Sequence, residues 1–191
     1  LHIGLPKTGT TFLQQKVFSS MEHEGLLYNP NPLMKIIKKY FDNKVDILKV
    51  KIELGKLNAN TLFLSEEGFS VQGYSFEYGE NLLKLKSIFP DASIILFFRY
   101  QPDWLLSMYK QSIHQQNPQT INEFLNYKND SNTFGSEELF CDNRYESVSL
   151  SGQNNLPRMN IHSINYAKMI QEYMDAFGEN NVHIFFYEHL K

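Results

Sequence analysis

The sequence predicts a three-layer α/β fold: a central, mostly parallel sheet flanked by helices. Short apolar runs alternate along the chain with stretches of helical periodicity. Strands separated by helices imply parallel pairing through right-handed crossovers, with helices covering the sheet. The 191 residues fit one domain, 1–191, that can bury a sizeable core.

Residues 1–5 (LHIGL) read as the first strand. Thr10 to about Met21 reads as a helix, with Phe12, Leu13, Lys16 and Val17 at turn-like spacing. The lysines between 35 and 51 alternate with apolar residues at helical spacing and read as a solvated helix face, not as a nucleic-acid patch. TLFLS (61–65) is a second strand ending in Glu66 and Glu67, and ENLLKLKSIF (80–89) is a helix stopped by Pro90. ASIILFF (92–98), apolar nearly throughout, is a buried strand that ends on Arg99.

A helix opens at Pro102-Asp103, and another lies near 120–128. The stretch 129–160, rich in Asn, Ser and Gly, reads as a long loop region on the acceptor side of any site. In 163–177, Tyr166, Met169, Ile170, Tyr173, Met174 and Phe177 share one helix face, and Gly178 is placed as its C-terminal cap. That stripe reads as core packing. VHIFFYE (182–188) is the last strand. No internal repeat occurs.

The net charge of −3 places any anion site in a local basic cluster and gives no general bias toward nucleic acid. Cys141 is the only cysteine, so an internal disulfide framework is excluded, and a reducing, cytoplasmic setting is the simplest expectation. A lumenal domain of an anchored enzyme is the alternative. No apolar run approaches the roughly 18 residues of a membrane span. The chain opens inside a strand, so its ends read as trimmed.

The stretch GLPKTGTT (4–11) resembles a phosphate-binding loop between a strand and a helix, which makes the expected fold P-loop-like. A Walker A loop puts Lys directly after its second glycine; here Thr10 follows Gly9, and Lys7 lies inside the loop. Such a turn presents backbone N–H groups and a helix N-terminus to an anion, with Lys7 adding charge and Thr10 and Thr11 adding hydroxyl donors. A second basic site stands at the end of the strand 92–98. Arg99 emerges at a carboxyl end, where open parallel sheets place their ligands, and Ser107 follows in the next helix.

In this order the two motifs resemble those of the sulfotransferases that use 3′-phosphoadenosine 5′-phosphosulfate (PAPS). PKTGTT (6–11) is similar to the family's 5′-phosphosulfate loop. Arg99, Pro102, Ser107 and Tyr109 look like its 3′-phosphate motif, and FFYEHLK resembles the strand that closes its core sheet. The resemblance implies that Lys7, Thr8, Gly9, Thr10 and Thr11 contact the phosphosulfate and that Arg99 and Ser107 hold the 3′-phosphate. Lys7 would also neutralise charge on the bridging oxygen as the sulfonate leaves. It implies in-line transfer without a metal, governed by positioning and charge stabilisation.

Cytosolic members acting on small molecules use a histidine base between the two motifs, but no histidine occurs from Gly25 to Ile113. Carbohydrate-type and bacterial members use a glutamate after the second strand, a segment that LSEEGFS (64–70) resembles. Successive strand side chains point to opposite faces, so one acid is expected at the donor, Glu67 first and Glu66 second. The expected acceptor is a hydroxyl-bearing small molecule or saccharide, with Tyr127, Phe134, Arg144 and Tyr145 as contacts suggested by composition. The six histidines and Cys141 show no metal-ligand spacing. His114 and Trp104 lie near the second motif, as a surface residue and a packing residue. The competing reading is a P-loop ATPase or small-molecule kinase with TLFLSEE as a Walker B-like strand, and the position of Lys7 counts against it. A nucleotide-binding module without activity is a third, opposed by the presence of Lys7 and both acids.

Overall fold

In the computed structural model of the chain, residues 1–21, 25–71, 73–74, 76–126 and 158–190 are described. Leu26–Tyr28 forms β1, Thr61–Phe63 forms β2, Ile94–Phe98 forms β3 and Val182–Phe186 forms β4. β1 pairs in parallel with β2, and β3 in parallel with β4.

The extended segment 1–5 joins the two pairs. His2 N–H donates to Leu64 O at 2.8 Å and Glu66 N–H to His2 O at 3.1 Å on one side. On the other side Ile3 N–H donates to Ile95 O at 3.0 Å and Ile95 N–H to Leu1 O at 2.7 Å. The order is therefore β1, β2, segment 1–5, β3, β4, all parallel. Every carboxyl end faces the same edge.

The pleat sorts the side chains into two layers. Leu1, Ile3, Leu5, Ile94, Leu96 and Phe98 join the main core, shared with helices α2 (Asn31–Phe41), α3 (Ile47–Leu54), α4 (Gly79–Ile88), α5 (Gln101–His114) and α7 (Tyr166–Phe177). His2, Ile95 and Phe97 face the opposite layer, where Leu13 and Phe18 cover them. Thus the three-layer P-loop-like architecture is present.

The first helix spans the expected residues but changes pitch. Thr10–Phe12 (α1) is α-helical, Leu13–Val17 a π turn and Phe18–Met21 a 3₁₀ turn. The wide turn, with Phe18 N–H bonded to Leu13 O, brings Leu13 and Phe18 together on the buried side. Phe12 and Val17 are exposed.

Other boundaries follow local chemistry. The lysine-rich stretch is two helices, not one face: α2 ends at Phe41, and Asp46 caps α3 by accepting from Lys49 N at 3.1 Å. Asn165 caps α7 through Lys168 N, and Gly178 ends it at φ +92°. A Thr120–Glu123 capping box starts α6 (Ile121–Phe124), shorter than the segment expected there. β4 stops at Phe186, and Tyr187–Leu190 turns away as a 3₁₀ segment. Among the described residues no helix is long and apolar enough to cross a membrane. Tyr127, Phe134, Cys141, Arg144 and Tyr145 lie outside the described residues, as does most of the 129–160 region.

Candidate active site

The central segment delivers residues 6–9 to the carboxyl edge of the sheet, and the chain turns there in a strained conformation. Gly9 has φ +83°, and a Cβ on it would stand 3.2 Å from the Tyr187 ring, so both backbone and space demand glycine. Lys7 also takes a positive φ, 65°, which is costly for a side-chain-bearing residue. Two contacts, one from α5 and one from the β3–α5 connection, brace the loop here. Trp104 Nε1 donates to Pro6 O at 2.7 Å, and Arg99 Nη1 donates to Lys7 O at 3.4 Å.

The loop side chains then diverge. Lys7 Nζ donates to Gln111 Oε1 at 3.0 Å. Thr8 is buried and its hydroxyl donates to Leu5 O at 2.6 Å, so its side chain shapes the loop and does not line the cleft. Thr10 is buried at the cleft floor and hydrogen-bonds Glu67, while Thr11 is exposed at the rim.

Beyond β2 the chain is pinned before it reaches the acids. Ser65 N donates to Asn29 Oδ1 at 2.8 Å, and the Gln14 amide donates to Ser65 O and Oγ at 3.1 and 3.0 Å. His2 Nδ1 meets Ser65 Oγ at 2.7 Å. Glu66 and Glu67 then separate. Glu66 pairs with Lys38 of α2 at 2.5 Å and accepts from Gly68 N, starting the 3₁₀ turn Glu67–Phe69. Glu67 faces the loop. Burial pushes its carboxyl above the usual range; the Thr10 hydrogen bond opposes this, the Glu66 charge adds to it, and Lys7 pulls it back.

Arg99 and Ser107 stand on the next wall. The Arg99 guanidinium lies 4.8 Å from the centre of the Tyr187 ring, and its buried Nε has no hydrogen-bond partner among the described residues. Ser107 is half-buried on α5, one turn before Gln111.

One open cleft of about 880 Å³ gathers these groups. Lys7, Gly9, Thr10, Thr11, Glu66, Glu67, Arg99 and Ser107 all line it; Thr8, of the residues expected there, does not. Lys38, Asp42, Tyr74, Gln111, Gln115 and Tyr187 line it as well, and the sequence reading passed over them. Gln111 was recoverable as Ser107 plus one helical turn, and Tyr187 as the residue leaving a strand at the ligand edge. Lys38 and Tyr74 carry no such signal. His114 is exposed and outside the cleft lining, while Trp104 is fully buried beneath the loop.

The arrangement brings Lys7 and the loop, Arg99 and Ser107, and the Glu67 carboxyl to the lining of one cleft. The chain matches no family model and no curated protein. It is similar in fold to the crystal structure of a sulfotransferase from Alicyclobacillus acidocaldarius, at 15% identity and a TM-score of 0.60, over 98% of this chain and 72% of that one. At that identity the likeness is one of fold.

Proposed function

We propose that the chain transfers the sulfonate of PAPS to a hydroxyl of an acceptor, a carbohydrate or glycolipid. The observation that carries this reading is that Lys7 of the loop, Arg99 of the next wall and the half-buried Glu67 line a single cleft. PAPS, when bound, supplies the sulfonate and carries phosphates at both its 5′ and 3′ positions. Lys7, Gly9, Thr10 and Thr11 would hold the 5′ end, and Arg99 with Ser107 the 3′-phosphate. The buried Arg99 Nε, without a hydrogen-bond partner among the described residues, fits a site built for an anion.

Glu67 is the proton acceptor in this reading. Its raised proton affinity suits a general base better than that of an exposed carboxylate, and Thr10 fixes its orientation. Glu66 is committed to Lys38 and to the turn. The Lys7 ammonium neutralises charge on the leaving oxygen. The amides of Gln111 and Gln115 and the Tyr74 hydroxyl offer hydrogen bonds of the kind a polyhydroxylated acceptor uses.

Thermal shift tests the donor directly. The nucleotide product, 3′-phosphoadenosine 5′-phosphate (PAP), should raise the Tm without Mg²⁺, in proportion to its binding free energy, and ATP should do little. Stabilisation by ATP with Mg²⁺ and none by PAP would favour a kinase or ATPase instead.

A further inference from the structure

We propose that Lys38 is a positioning residue for this cleft: by pairing with Glu66 it offsets part of the charge that Glu66 places beside Glu67 and so helps set the proton affinity of the base. The proposal rests on the reading of Glu67 as the base. Its footing is geometric. Consecutive acids at a strand end would raise one another's proton affinity if both stood unpaired. Here Lys38, from a helix distant in sequence, reaches the cleft and meets Glu66 Oε2 at 2.5 Å.

Stability gives little reason for the pair. The Lys38 side chain is 57% exposed, and ion pairs so exposed contribute little to folding. The turn at Gly68 needs only an acceptor oxygen on residue 66, not a charge.

Among the other groups around Glu67, only Lys7 is a cation that acts on it directly, and Lys38 acts through Glu66. From the loop, Lys7 acts directly, but its ammonium is engaged by Gln111, and Thr10 supplies a neutral hydrogen bond. Asp42, the residue after α2, is 2.7 Å from Lys44. Arg99 stacks on Tyr187, and burial raises the Tyr74 phenol, keeping it neutral. Glu66 is the adjacent negative charge that one substitution can unmask.

The test follows the side-chain carboxyl of Glu67 by ¹³C NMR in the glutamate-labelled full chain, its resonance assigned with Glu67→Gln. Lys38→Met should raise the Glu67 titration midpoint by about half a unit at low salt. Glu66→Gln, which keeps the acceptor oxygen for the turn, should lower it. The double variant should fall between the two. Unmoved midpoints in both single variants, or shifts in the same direction, would overturn the proposal, because repacking has no reason to give opposite signs. Unchanged amide spectra away from the cleft would show that the variants fold. The titration needs no acceptor or donor, so its failure is separate from a failure of PAP to bind.

Discussion

Glu67 shows how one residue can serve function at the expense of stability. Its carboxyl is pushed up chiefly by burial, so the folded chain holds that proton more tightly than the unfolded one. The associated stability is full below the unfolded value and is lost as pH rises through the raised one. Glu67→Gln should therefore raise the Tm at neutral pH, with the advantage over the parent shrinking toward pH 4. The same variant should lose on the order of 10²-fold or more in turnover while PAP binding persists. Calorimetry across pH and a sulfonate-transfer assay check the two halves, and intact turnover would remove Glu67 as the base. That Lys7, Thr10, Thr11, Glu67, Arg99 and Ser107 would line one cleft was legible because loop spacing and strand ends fix where they emerge. The inward turn of the Thr8 side chain was not legible, because hydroxyl chemistry is the same whether it faces a ligand or, as here, Leu5 O. Lys38 stayed hidden because a helical lysine looks solvated until the strand opposite supplies an acid.

Helix α5 organises the cleft from one face. Trp104, Ser107, Gln111 and Gln115 succeed one another at helical spacing and meet, in turn, Pro6 of the loop, the cleft, Lys7 and Tyr74. Trp104→Phe keeps an aromatic ring but leaves Pro6 O without its N–H donor. The expected cost is about 1–2 kcal/mol of stability, with a weaker PAP response because Lys7 loses a brace for its positive φ. Denaturant unfolding and PAP titration of the variant measure both. A full-strength PAP response would show that Arg99 alone holds the loop. Elements with strong periodicity, such as β3, α5 and α7, were readable within a few residues. β1 was not: three half-buried residues have too little pattern to announce a strand, and only pairing with β2 makes one. The break between α2 and α3 was likewise obscured by a periodicity that runs on through the capping residue Asp46.

Over the whole molecule, acid stability should depend on a residue the proposed chemistry never uses. His2 is fully buried between the central segment and the first helix, and burial chiefly pushes its imidazole down to about 4. The unfolded chain, with an ordinary histidine near 6.5, then binds the extra proton between those values. Stability is retained above the unfolded value and lost as pH falls through the window, by roughly 3 kcal/mol for this one group. His2→Asn should flatten that part of the urea-midpoint profile, and an unchanged slope would show that His2 protonates freely in the fold. The alternation of strands and helices made the architecture legible. The sheet order was not, because spatial neighbours are decided by pairing across long intervals of chain. That order also bears on biogenesis. The segment that carries the loop is early in sequence yet innermost in the sheet, and its second neighbour, Ile95, lies about ninety residues downstream. During synthesis at roughly 5–20 residues per second, these residues must wait several seconds, unpaired and apolar, before both flanks exist. The loop segment is thus synthesised before both of its sheet neighbours and paired only after them.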